Sequence, residues 1–111
     1  MMHFRELPEF HRELKRLFKK YKTLEDDLKA FKAVLRAAPT GIGKNFVALH
    51  FSSNIKIIKA RMACRALRDR SLRIVYAYRE QDEIIDFIEL YYKGDKANED
   101  RGRIVEYLGK F

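Results

Sequence analysis

The N-terminal part of the chain carries two runs of apolar residues at helical spacing. After a short extended segment, residues 2–6, one apolar stripe starts near Pro8 and a second follows Thr23, which we expect to cap the second helix. The first stripe is formed by Phe10, Leu14, Leu17, Phe18 and Tyr21, and the second by Leu24, Leu28, Phe31, Val34, Leu35 and Ala38. Pro39 ends the second stripe. Because the connection is short, the two helices should form an antiparallel hairpin.

Beyond Pro39 the periodicity changes to alternation, which is typical of strands. Predicted strands cover Phe46–Phe51 and residues 55–64, 72–78 and 83–93, and a last helix begins near Asn98 to Asp100. Consecutive strands joined by short turns pair antiparallel. The predicted order is βααβββ(β)α. It is an α+β fold in which the helical hairpin packs on four or five mainly antiparallel strands, with a C-terminal helix, as one domain over residues 1–111.

Size and composition exclude several classes of protein. A chain of 111 residues with 47% hydrophobic residues can bury one core. It has no apolar run long enough to span a membrane and no N-terminal signal layout, so we expect a cytoplasmic protein. The single Cys64 excludes an internal disulfide. His3, His11 and His50 lack metal-ligand spacing, so no metal or cofactor is expected.

Positive charge is concentrated in residues 56–79. This window holds two Lys, six Arg and one Asp, a net charge of +7 out of +8 for the chain. The cations are interleaved with Ile, Val and Tyr, which favours a charged sheet face over a solvated tail. A partner with phosphate groups is therefore expected. An acidic protein is an alternative, and a membrane surface is the weakest one because the amphipathic helices carry mixed charge.

Strand alternation divides the basic window into two faces. Lys59 and Arg61 share one face of their strand, and Arg73 could lie on the same surface in the next strand. Arginine binds phosphate through two parallel hydrogen bonds. The alternative is a solvated face paired with the acidic residues 80–89. We favour phosphate binding because one Asp cannot neutralise eight cations.

Other polar positions have structural alternatives. In Tyr91-Tyr92-Lys93, a tyrosine could stack on a base and the lysine could stabilise negative charge, while one tyrosine is expected to pack instead. The segment around Gly41 and Lys44 lacks the spacing of a phosphate loop and should be a plain loop. Cys64 should be a packing residue. Glu99 and Asp100 should charge and cap the last helix.

The segments IKARM, LRIVYAY and IELYYKGDKANEDRGRI, in this order, resemble the RelE/ParE toxin superfamily, most closely its RelE/HigB-type mRNA interferases. The resemblance covers almost the whole chain. It implies a toxin that enters the ribosomal A site and cleaves mRNA there without a metal. In such toxins the ribose 2′-OH attacks the adjacent phosphate, and basic side chains stabilise the charged transition state.

The resemblance also implies roles for individual residues. Lys59 and Arg61 match the Lys-x-Arg pair, Arg73 matches the Arg before Val-Tyr, and Lys93 matches the basic residue at the end of the last strand. Many members place a Tyr or His shortly after that residue, whereas this chain has Glu99, so Tyr91, Tyr92 or Glu99 is the candidate base. Further expected RNA contacts are Lys56, Arg65, Arg68, Arg70 and Arg79.

The implied partners are mRNA and the ribosome with its RNA, a cognate antitoxin protein and, through the toxin–antitoxin complex, operator DNA. Two other hypotheses stay open. One is a binding module, either a ParE-like gyrase inhibitor or a catalytically silent relative that binds RNA or its antitoxin. The other is a general RNA-binding protein of the translation machinery, which would show steep salt dependence and no cleavage.

Overall fold

The computed structural model describes residues 1–68 and 70–111, so Asp69, the acidic residue of the basic window, lies outside the described residues. Within these residues, five strands and three α-helices follow the predicted order βααβββ(β)α, and the strand in parentheses is present. They are β1 (His3–Glu6), α1 (Pro8–Lys20), α2 (Leu24–Ala37), β2 (Phe46–Phe51), β3 (Ile55–Ala63), β4 (Ser71–Arg79), β5 (Ile84–Tyr91) and α3 (Arg101–Leu108). The α+β class is confirmed.

The strands form one sheet in the order β1-β5-β4-β3-β2. The pairs β2–β3, β3–β4 and β4–β5 are antiparallel, as short turns require. The N-terminal strand β1 pairs parallel with β5, which places the first and last strands of the chain side by side. The sheet is therefore mixed but mainly antiparallel.

The two helices of the hairpin cover one face of the sheet, here called the hairpin face. Phe10 of α1 stacks on Phe87 of β5 with ring centroids 5.2 Å apart. The hydroxyl of Tyr76 donates to the carbonyl of Pro39 at 2.8 Å, which ties the end of the second helix to β4. Alternate strand residues complete this core, among them Ile58, Met62, Cys64, Leu72, Ile74 and Leu90.

Helix α3 covers part of the opposite face, here called the α3 face. Ile104 and Tyr107 of the helix pack with a second set of strand residues, Ile55, Ile57, Val75, Ala77 and Ile88. Asp86 is buried beneath the helix and accepts hydrogen bonds from Tyr107 at 2.6 Å and from Arg5 at 2.7 Å. This cluster fixes one end of α3 on the sheet. Within residues 1–68 and 70–111, no helix is long and apolar enough to cross a membrane.

Two local expectations differ from the structure. Thr23 precedes α2 but makes no capping hydrogen bond. Its hydroxyl donates to Asp27 at 2.7 Å and accepts from the backbone N–H of Ala66 at 3.1 Å, so it joins α2 to the short 3₁₀ turn after β3. The last strand ends at Tyr91 because the chain turns there, with the N–H of Asp95 bonded to the carbonyl of Tyr92 at 2.9 Å.

Candidate functional site

Beyond the cover of α3, the α3 face carries cations. Arg61 of β3 lies directly opposite Arg73 of β4, so the two arginines share a surface, which the alternation had allowed without fixing the register. Lys59 lies two residues before Arg61 on the same face, and Lys93 follows the end of β5, where Tyr91 is paired with Arg73. Arg61 and Lys93 are exposed, whereas Lys59 and Arg73 are half-buried. These four residues are called the cationic cleft below.

The cleft contains two adjoining cavities that share Arg61, Arg73 and Lys93. One has a volume of about 180 Å³ and also borders on Lys59 and Lys44. The other has a volume of about 270 Å³ and is completed by Arg70, Ser71, Tyr92 and Gly94. Three cations at the boundary of two cavities suit a chain of phosphates that runs from one cavity to the other.

A buried carboxylate, that of Glu99 in the loop before α3, contacts this cationic surface. Glu99 Oε1 accepts a hydrogen bond from Lys59 Nζ at 2.8 Å, and its side chain is only 2% exposed. Its second oxygen lies 3.2 Å from Arg101. The hydrogen bond from Lys59 lowers the pKa of Glu99 more than burial raises it. Glu99 is therefore ionised at neutral pH. It does not cap α3, because the side chain of Asp100 accepts the hydrogen bond from the N–H of Arg103 at 3.1 Å.

The two tyrosines at the end of β5 have different surroundings. Tyr91 is buried, and burial, followed by the nearby Glu99 and Glu89 carboxylates, raises its pKa to about 12. A phenol with such a pKa is a poor base near neutral pH. Tyr92 is half-buried at the edge of the cleft, where Arg70 donates to its hydroxyl at 2.7 Å. Of the two, Tyr92 is the one whose ring reaches the larger cavity.

Three expected RNA contacts lie in the turn between β3 and β4. Arg70 borders on the larger cavity through its bond to Tyr92. Arg65 is exposed but lies 3.5 Å from both Asp26 and Asp27, so it also joins the turn to α2. Arg68 is exposed with a positive φ of 58°, at the tip of the turn. These arginines flank the cleft and could extend an RNA-binding surface.

The other two expected RNA contacts lie away from the cleft and stay predictions that the geometry of the cleft does not support. Lys56 belongs to the opposite set of alternating residues on β3, at the far end, with its ammonium 5.6 Å from the ring centre of Phe51. Arg79 is paired with Ile55 at the far end of β4, and its guanidinium lies 3.2 Å from Asp82 and under the ring of Phe111. Both have structural contacts there.

Sequence reasoning missed Lys44 and Asn45, which border on the smaller cavity. They follow a turn that contains Gly41 and Gly43, both with positive φ, and precede β2, the neighbour of β3. A basic residue next to a strand that pairs with the Lys-x-Arg strand was the available signal. Cys64 is buried, and burial raises its pKa, as expected of a packing residue. No group of His, Cys, Asp and Glu among the described residues is arranged to hold a metal.

A separate groove lies between α2 and the strands β2 and β3. Its volume is about 610 Å³, and its walls include the apolar side chains of Phe31, Val34, Phe46 and Met62. Val34 is 48% exposed, which is unusual for a residue of an apolar helix stripe. Arg61 also lines this groove, so it borders both the groove and the cationic cleft.

Comparisons with known proteins support the architecture. No protein-family model matches the sequence, and no curated protein does. Among solved structures, the fold is similar to that in the crystal structure of an archaeal RelE–RelB complex from Pyrococcus horikoshii OT3, with a TM-score of 0.63 and 19% identity, over 84% of this chain and 96% of that chain. The expected RelE-like fold is therefore confirmed.

Proposed function

We propose that this protein is the toxin of a toxin–antitoxin pair and an endoribonuclease that cleaves mRNA on the ribosome, and so acts in the cytoplasm. The observation that carries the proposal is the cationic cleft, in which Arg61 and Arg73 are placed side by side by the register of β3 and β4. Like charges directly opposite each other destabilise a sheet. A pair of this kind is readily explained by a ligand with negative charge. The shared RelE fold makes mRNA the favoured ligand.

The proposed reaction needs charge stabilisation more than any other assistance. The 2′-oxygen of a ribose attacks the adjacent phosphorus, the 5′-oxygen leaves, and the products are a 2′,3′-cyclic phosphate and a 5′-hydroxyl. Negative charge builds up on the phosphoryl oxygens, and guanidinium and ammonium groups stabilise it in place of a metal. Arg61, Arg73 and Lys93 are assigned to these oxygens, and Lys59 contributes from the smaller cavity.

The flanking residues are assigned to binding. Lys44 would bind a neighbouring phosphate on one side of the cleft, and Arg70, with Arg65 and Arg68, would bind RNA on the other. The ring of Tyr92 could stack on a base at the larger cavity. Neither Tyr91, with its raised pKa, nor Glu99, which is bound to Lys59, is well placed to act as a base. The 2′-OH proton is therefore assigned to solvent, which also supplies the proton that the departing 5′-oxygen takes up to become a hydroxyl.

The test uses purified protein and ribosomes programmed with a defined mRNA. The wild type should cut the mRNA in the A-site codon and leave cyclic phosphate ends, and Arg73→Ala should cut about 10²- to 10³-fold more slowly. Arg16→Ala, which removes an exposed arginine of α1, is the matched control and should cut at the wild-type rate. Full cleavage by a folded Arg73→Ala protein would contradict the proposal. In cells that express the protein, growth arrest with intact mRNA and damaged DNA would instead favour gyrase inhibition.

An antitoxin partner is proposed for the groove between α2 and β3. The structurally similar chain comes from a complex with RelB. Here Arg61 lines both the apolar groove and the cationic cleft, so an antitoxin segment with apolar side chains in the groove and an acidic residue near Arg61 would fit. Val34→Asp should weaken the complex with the product of the adjacent reading frame at least tenfold. Val105→Asp, at an exposed valine of α3, should not.

A further inference from the structure

The hydrogen bond between Glu99 and Lys59 is unusual because it places a buried carboxylate beside a surface that otherwise gathers positive charge. Glu99 is 2% exposed and Lys59 is 27% exposed, so the lysine reaches solvent while its partner does not. Arg101, the other partner of Glu99, is 82% exposed. An exposed arginine contributes little to such a pair, so the buried contact of Glu99 is with Lys59.

Glu89 contacts the chain on both sides of Glu99, through the side chain of Lys96 before it and the backbone of Asp100 after it. Glu89, a buried residue of β5, accepts the backbone N–H of Asp100 at 2.8 Å and binds the ammonium group of Lys96. Asp100 in turn caps α3. The loop that delivers Glu99 is therefore held to the sheet before and after it. The position of the carboxylate follows from the fold, and α3 and its preceding loop determine where it lies.

Lys59 gains order from this contact without losing its capacity to bind. An ammonium group has three N–H donors, and one is used by Glu99, so two remain for the smaller cavity. A lysine side chain is flexible, and ordering it in advance removes an entropic cost at the moment of reaction. The negative charge of Glu99 has the opposite effect on binding, because it lowers the attraction of the cleft for RNA.

We propose that Glu99 is a positioning residue that holds the Lys59 ammonium group toward the cleft, so that Lys59 meets the phosphoryl oxygens in the transition state. This inference rests on the proposed ribonuclease function. Glu99 thus favours the chemical step at the expense of affinity. The pair also makes α3 part of the active site, since the contact depends on how the loop before that helix is anchored.

The test is a double-mutant cycle with Glu99→Gln, Lys59→Ala and the double variant, measured as kcat and KM on programmed ribosomes. Glu99→Gln should lower kcat about 3- to 30-fold and also lower KM, because RNA binds more tightly when the negative charge is gone. In the Lys59→Ala background, Glu99→Gln should change kcat less than about twofold. Glu106→Gln makes the same charge change at an exposed site of α3 and should leave kcat unchanged.

Two kinetic results would overturn the inference. One is a rise in kcat in Glu99→Gln, which would make the carboxylate an inhibitor of Lys59. The other is an equal loss of kcat from Glu99→Gln with and without Lys59, which would mean that Glu99 does not act through it. Thermal unfolding of each variant is measured to verify that the variant is folded at the assay temperature.

A second readout separates this inference from the proposed function. If the wild type does not cleave mRNA, the proposed function fails, and the ammonium signal of Lys59 in ¹⁵N NMR still tests the positioning. A slowly exchanging Lys59 ammonium signal should be present in the wild type and Glu106→Gln and lost in Glu99→Gln. An ammonium group that exchanges equally fast in wild type and Glu99→Gln would refute the inference independently of catalysis.

Discussion

Replacing Arg61 by Gln should stabilise the fold while it impairs the activity. Arg61 and Arg73 are direct partners in the β3–β4 ladder, and Arg73 is additionally held by hydrogen bonds to the carbonyl and hydroxyl of Ser71 at 3.3 and 2.9 Å. Arg61 is exposed and is therefore the partner that can be changed with the least effect on packing. Glutamine keeps a polar side chain there and removes one of two facing charges.

The expected gain follows from the pair geometry. A like-charge cross-strand pair is unfavourable by about 0.2 to 1 kcal/mol, and Arg61→Gln removes that repulsion. For a domain of 111 residues, the gain corresponds to a rise in Tm of about 1 to 4 °C. Salt screens exposed charges, so the difference should shrink between about 0.1 M and 1 M salt. The cleavage rate should fall about 10²- to 10³-fold, because one donor to the developing charge is lost.

The assay combines thermal unfolding at two salt concentrations with cleavage of ribosome-bound mRNA. Arg12→Gln is the matched control. It removes one charge from an exposed site on α1 and should change neither the rate of mRNA cleavage nor the difference in Tm between the two salt concentrations. A variant that is destabilised at low salt would refute the view that the facing arginines repel each other. A variant that is stabilised and fully active would refute the view that they are retained for catalysis.

Three further outcomes are expected. The hydrogen bond from Lys59 holds the folded-state pKa of Glu99 below its ordinary value of 4.5, so its stabilising effect is complete well above pH 4.5 and is lost as the pH falls through the folded pKa. The difference in free energy of unfolding between wild type and Glu99→Gln should therefore be full at pH 7 and should decline as the pH falls below 4.5, and a difference independent of pH would contradict this. Asp86→Ala should lower the free energy of unfolding by about 3 to 5 kcal/mol in urea, because Arg79, whose side chain is 11% exposed, loses its buried counter-ion and Tyr107 loses its acceptor, whereas an effect below about 1 kcal/mol would show that the cluster does not anchor α3. In Gly94→Ala the added Cβ would lie 2.4 Å from the ring of Tyr92 and displace it, so binding of single-stranded RNA should weaken by about 1 to 3 kcal/mol with little change in Tm, and unchanged binding would exclude stacking on Tyr92.

Two local rules allowed the fold and the centre of the candidate site to be predicted from the sequence. Side chains two apart on a strand share a face, and consecutive strands with a short connection pair antiparallel. These two rules allow Arg61 and Arg73 to share one surface before any coordinates are known, and the observed register places them directly opposite each other. The same rule already separates Lys56 from that surface, since Lys56 shares a face with Ile58 and not with Lys59 and Arg61. The expected RNA contact of Lys56 rests on its place in the basic window and not on the alternation, and it stays a prediction.

Other parts of the site depend on contacts between distant segments. Arg79 shares the face of Arg73, and only the position of α3 and Phe111 shows that it lies in another environment. The contact of Lys59 with Glu99 joins residues 40 positions apart and depends on how Glu89 anchors the loop. Local periodicity carries no information on such contacts. The sequence indicated that Glu99 departs from the pattern of the resembling family, but not what it touches.

The most direct test of the central claim is to map mRNA 5′ ends in cells after induced expression of the wild type and of Arg73→Ala. The account predicts new 5′-hydroxyl ends within translated codons in the wild type, in phase with the reading frame, and about 10²-fold fewer in Arg73→Ala at equal protein level. Growth arrest by the wild type without new ends in coding regions, or the same ends in Arg73→Ala, would contradict the claim that the cationic cleft cuts ribosome-bound mRNA.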